Sequence, residues 1–108
     1  MARLGAISVA GKSGTQYRFT AYPLGTTFKK GLGAVLVATR RRQVKRNGAF
    51  KHRRMVLDQT DDVSQFLARE TRPLADHGVN CICVHVETDQ AARLRIQEDL
   101  IPRLPSGD

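Results

Sequence analysis

Two short apolar runs stand out against a polar background. Gly33-Ala34-Val35-Leu36-Val37-Ala38-Thr39 and Met55-Val56-Leu57 are separated by a basic stretch. Both are Val-containing and too short for buried helices, so they are predicted to be buried strands. Asn47-Gly48 lies between them and favours the tight turn that joins antiparallel strands. Before them, Ala6 to Ala10 is a short strand candidate and Gly11-Lys12-Ser13-Gly14 a turn. Thr15 to Tyr22 alternates, with Tyr17, Phe19 and Ala21 on one face and Gln16, Arg18, Thr20 and Tyr22 on the other. This period of two predicts a half-buried strand.

After Thr60 the period lengthens. Val63, Phe66 and Leu67 fall at helical spacing, and Asp62 followed by Gln65 resembles a capping box. Arg72-Pro73 is expected to break this helix, because a residue preceding proline avoids helical geometry. Pro73 then starts a second short helix that Gly78 stops. Cys81-Ile82-Cys83-Val84-His85-Val86 is the clearest strand pattern, with Cys81, Cys83 and His85 on one face. Thr88 and Asp89 cap a last helix, whose expected buried stripe is Ala91, Leu94, Leu100 and Ile101, with Gln97 inside it. The order predicts an α+β domain.

Charge adds more than composition does. Residues 1–54 hold 13 Lys and Arg and no acid, whereas residues 55–108 hold 5 Lys and Arg and all 10 acids. Eight cations lie between Arg40 and Arg54: Arg40, Arg41, Arg42, Lys45, Arg46, Lys51, Arg53 and Arg54. A one-signed block of this density attracts polyanions, so DNA or RNA is the expected partner. The division into a basic front and an acidic back also suits a protein partner or a homodimer. No apolar run is long enough to span a membrane, and Met1 to Gly5 lacks the apolar block of a secretory signal, which points to the cytoplasm.

Four candidate chemistries can be weighed from spacing. Gly11-Lys12-Ser13 lacks both the upstream glycine and the following helix of a phosphate loop. Cys81, Cys83 and His85 offer three ligands in a row, but no second pair follows at zinc-site spacing, so neither metal nor cofactor is expected. A disulfide between positions two apart on a strand is geometrically poor. Asp58, Asp61, Asp62, Glu87, Asp89 and Glu98, with His52 as a base, could serve a metal-dependent nuclease only if the fold makes them converge.

The order strand, hairpin, strand, helix, strand, helix resembles the GIY-YIG nuclease superfamily. Gly33-Ala34-Val35-Leu36-Val37 is similar to its first motif and Val56-Leu57-Asp58-Gln59-Thr60 to its second. Asp61-Asp62-Val63 resembles the start of its first helix, and Glu98-Asp99-Leu100-Ile101 the end of its acidic helix. The resemblance implies a single domain over 1–108. Its core is a small three-stranded sheet flanked by helices over 33–101, with an added N-terminal β-hairpin over 1–32 and a tail over 102–108. It also implies a degenerate site. The first motif's tyrosine position falls on Val35 or Leu36, and Tyr-Ile-Gly becomes Val56-Leu57-Asp58. The helix arginine becomes Phe66, and the metal-binding glutamate becomes Gln97. Val, Leu and Phe supply no proton or phosphate charge, and a Gln amide is a weak ligand for a hard cation. The expectation is therefore a catalytically inactive domain that binds nucleic acid through a basic hairpin. The alternatives are a protein-interaction module and a divergent metal-dependent nuclease.

Overall fold

The computed structural model describes residues 3–43 and 50–101. Five strands and two helices follow one another as β1 (Ala6–Ala10), β2 (Gln16–Pro23), β3 (Ala34–Gln43), β4 (Phe50–Thr60), α1 (Val63–Asp76), β5 (Cys81–Val86) and α2 (Gln90–Leu100). The α+β class is as expected; the sheet is not. One continuous five-stranded sheet has the order β1-β2-β5-β3-β4, and every pairing is antiparallel. The N-terminal hairpin is part of this sheet and not an appendage, because Thr20 to Pro23 of β2 pair with Cys81 to Val84 of β5.

β5 completes the sheet by entering between the two hairpins, with Thr39 opposite Cys81 and Ala34 opposite Val86. Strand alternation then divides the core in two. Ala34, Leu36 and Ala38 of β3 join Ile82 and Val84 of β5 against Val63, Phe66, Leu67 and Leu74 of α1. On the other face, Val35 and Val37 join Phe19, Ala21, Leu57, Cys81 and Cys83 against Leu100 of α2. The sheet thus lies between the two helices.

Asp62 caps α1 by accepting from the Gln65 amide at 3.3 Å and from Ser64 Oγ at 2.6 Å. The expected break at Pro73 does not occur, and α1 runs through it to Asp76. Proline removes one hydrogen bond there, but it sits in the last turn, where Leu74 is buried and the Pro73 carbonyl accepts from the His77 amide at 3.2 Å. Gly78 ends the helix at φ +88°, a conformation that glycine adopts without steric cost.

α2 faces the sheet with a side other than its most apolar one. Leu94 and Ile101 are 48% exposed and Ala91 is exposed, whereas Arg93, Asp99 and Leu100 are buried. Of the expected stripe only Leu100 is buried, because polar anchors set the helix's rotation. Arg93 Nε donates to Gln59 Oε1 at 3.0 Å, its Nη1 to the carbonyls of Glu87 and Thr88 at 2.8 and 3.0 Å, and its Nη2 pairs with Asp61. Asp99 accepts from the Ser13 amide (2.9 Å), Ser13 Oγ (2.6 Å) and Tyr17 Oη (2.8 Å). One end of α2 is tied to the ends of β4 and β5, the other to the β1–β2 turn. Those bonds, led by that from Ser13 Oγ, hold the Asp99 carboxyl below its usual range. Burial and the neighbouring Asp99 push the Tyr17 phenol up.

Candidate nucleic-acid interface

β3 and β4 both run well past the apolar runs that signal them, so the basic stretch itself forms paired strands. Their register shifts between Ala38 and Thr39, where Met55 is the extra residue of a bulge. Beyond it, Arg40 stands opposite Arg53 and Arg42 opposite Lys51. Partners directly across an antiparallel pair point to the same face. Two cross-strand pairs of cations are therefore stacked on one side of the hairpin. Arg40, Arg42, Lys51 and Arg53 are all exposed and line a groove of about 300 Å³, which His52 borders although its ring turns to the opposite face, toward Thr39.

The eight cations expected to contact phosphate do not act as one patch. Lys45 and Arg46, like the Asn47-Gly48 turn, lie outside the described residues. Arg41 and Arg54 alternate to the opposite face, where they stand across from His52 and Thr39. The Arg41 guanidinium lies 3.4 Å from the centre of the Phe50 ring, and its Nη2 donates to the Leu4 carbonyl at 3.4 Å. The remaining four carry the groove. Among the described residues, the one ion pair within 4.0 Å is Arg93 with Asp61, so none of the four is neutralised by a carboxylate there.

A second, apolar groove of about 290 Å³ lies between β4 and α1, lined by Met55, Val56, Asp58, Phe66, Glu70, Pro73, Leu74, His77 and Val79. Three of the six positions expected from the family resemblance, Val56, Asp58 and Phe66, meet here. Val35 and Leu36 are fully buried in the two opposite halves of the core. Gln97 is half-buried on α2, across the sheet from Phe66. The six positions do not form one cleft.

The candidate carboxylates are dispersed too. Asp62 and Asp89 cap helices, Asp61 pairs with Arg93, and a Glu87 oxygen accepts from the Asp89 amide. Asp58 faces the apolar groove, and Glu98 is exposed on α2. Among the described residues, no three acids bring ligand atoms together; the one grouping of three metal-ligating side chains is His52 with Cys81 and Cys83.

That grouping differs from the one alternation suggests. His85 shares a strand face with the cysteines, but its Nδ1 is 2.8 Å from the Arg18 carbonyl and its ring packs at 6.0 and 5.6 Å from Tyr17 and Phe19. His52 reaches the cysteines instead, from two strands away, with its Nδ1 3.0 Å from Thr39 Oγ1. Both cysteines are free and buried, and their sulfurs are 4.0 Å apart. The hydrogen bond from Cys83 pulls the Cys81 thiol down to about 7, while that same bond and burial push Cys83 up. Burial, then the charges of Arg41 and Arg54, lower the His52 imidazole.

Comparison with known proteins gives no matching family model, no matching curated protein and no matching solved structure.

Proposed function

We propose that this domain binds nucleic acid through the four-cation face of the β3–β4 hairpin and does not cleave it. The carrying observation is the register that sets Arg40 against Arg53 and Arg42 against Lys51. Like charges directly opposed weaken a strand pair, and a phosphate backbone laid along the groove turns that repulsion into attraction. Aromatic side chains for base stacking are sparse on the hairpin: Phe50 is on the other face, under Arg41. This favours contact with a duplex backbone over stacking on a single strand.

On this reading the chain keeps a GIY-YIG-like scaffold, acts in the cytoplasm, and carries inert side chains where the resemblance places reactive ones. The use of Asp62 and Asp89 as caps, of Asp61 in an ion pair and of Glu87 as an acceptor for the Asp89 amide supports the absence of a cleaving centre. No helix is long and apolar enough to cross a membrane among the described residues.

The test is binding of a mixed-sequence DNA duplex, and of an RNA duplex, across a salt series. Four phosphate contacts predict a log–log slope of about −3 to −4 on DNA. The Arg42→Glu/Lys51→Glu variant is expected to abolish binding at 0.1 M salt, and magnesium is expected to produce no cleavage. Absence of a complex at low salt, or an unaltered affinity in that variant, overturns the proposal.

A further inference from the structure

On the face opposite the cation groove, we infer that His52, Cys81 and Cys83 form a transition-metal site, with zinc as the ion. One nitrogen and two sulfur donors are a soft set that suits zinc and excludes the hard cations magnesium and calcium. The three ligand atoms all lie within 4.8 Å of one another, and the two sulfurs are 4.0 Å apart. Two thiolates on one tetrahedral zinc, each at about 2.3 Å, span about 3.8 Å, and a thiolate and an imidazole nitrogen about 3.6 Å. The sulfurs already hold the first spacing, and rotation of the partly exposed His52 ring closes the second.

The topology explains why these residues meet. The cysteines are two apart on β5, so both thiols project from one face. β3 lies between β5 and β4, with Thr39 opposite Cys81, and Arg54 and Arg41 opposite Thr39 and His52. The imidazole crosses β3 at Thr39, whose buried hydroxyl contacts the ring. Two thiolates neutralise the ion. Each thiol that binds loses its proton to solvent. Three donors leave the metal one open position.

The experiment uses the full chain, purified under reducing conditions, freed of metal and titrated with cobalt(II) as a spectroscopic stand-in. We expect thiolate-to-cobalt charge-transfer absorption with tetrahedral visible bands, saturating at one equivalent and abolished by one equivalent of zinc. Cys81→Ser, Cys83→Ser and His52→Ala should each weaken cobalt binding by more than about 100-fold, beyond what loss of a supporting contact costs. His85→Ala and Arg42→Glu/Lys51→Glu should bind cobalt as the parent does. If the cysteine variants do not fold by circular dichroism, zinc protection of the parent's two thiols from alkylation is the second readout. No charge-transfer band at one equivalent, a band that survives both cysteine substitutions, or thiols that zinc leaves unprotected overturns the inference.

Discussion

At Arg93 a guanidinium that would ordinarily face water is almost fully enclosed, and its donors are taken up by Gln59, Asp61 and the carbonyls of Glu87 and Thr88. Room for it comes from Gly33, where a Cβ atom would stand 2.4 Å from Arg93 Nη1 and 3.0 Å from the Glu87 carbonyl. Gly33→Ala should therefore destabilise the domain by about 2 kcal/mol or more, read from urea unfolding, by displacing a buried charge from its partners. Asp99 invites a pH test. Its folded-state carboxyl is held below its unfolded value, so it stabilises the fold in full above the unfolded value, near pH 4. That contribution is lost as pH falls through the lower, folded value. Asp99→Asn should lower stability at pH 7 and flatten the acid side of the stability curve below about pH 5. Neither residue's role is legible from spacing, because a polar residue inside a helix reads as solvated until its partners are placed. His52 was hidden for a related reason. Alternation along one strand selects His85, whereas the approach of His52 to the cysteines depends on registers across three strands.

Under the proposed function, the β3–β4 hairpin sets folding against binding. Arg53→Glu would place an acid opposite Arg40 and replace a repulsive cross-strand pair with an attractive one. Thermal or urea unfolding should register a gain of about 0.2–1 kcal/mol. The same change should weaken duplex binding by roughly tenfold or more at 0.1 M salt, since each phosphate contact contributes about 0.9 to the salt slope. Opposite signs in the two measurements are the signature of charges kept for a ligand; equal signs would refute that reading. Strands were the legible elements, because Val-rich runs and the alternation of Tyr17, Phe19 and Ala21 report burial directly. The Asp62 and Asp89 caps and the stop at Gly78 were legible as local chemistry. Pro73 misled because its penalty is small in a last turn. α2 misled because its few apolar residues do not outweigh the bonds made by Arg93 and Asp99.

Across the whole molecule, the two halves of opposite charge in the sequence do not become two halves in space. β5, from the acidic half, lies between β2 and β3 from the basic half. What remains one-sided is the far end of the β3–β4 hairpin. Head-to-tail assembly driven by a global dipole is accordingly not expected. Gel filtration at 0.05 and 0.5 M salt should give the same elution volume in the absence of a polyanion, and a larger species confined to low salt would contradict this. The sheet order was the least legible feature, since the insertion of β5 is a long-range pairing that no local pattern announces.

The order of the sheet leaves β4 as a margin, eleven residues long, with its outer backbone amides and carbonyls facing away from β3. Such a rim is a template on which another chain can add a strand, and lysine or arginine along it is the usual guard against fibril growth. Lys51, Arg53 and Arg54 supply that guard here. Replacing all three with glutamine should shorten the lag of thioflavin-positive aggregation on mild heating, so Lys51 and Arg53, proposed above to contact phosphate, would also help keep the free protein dispersed.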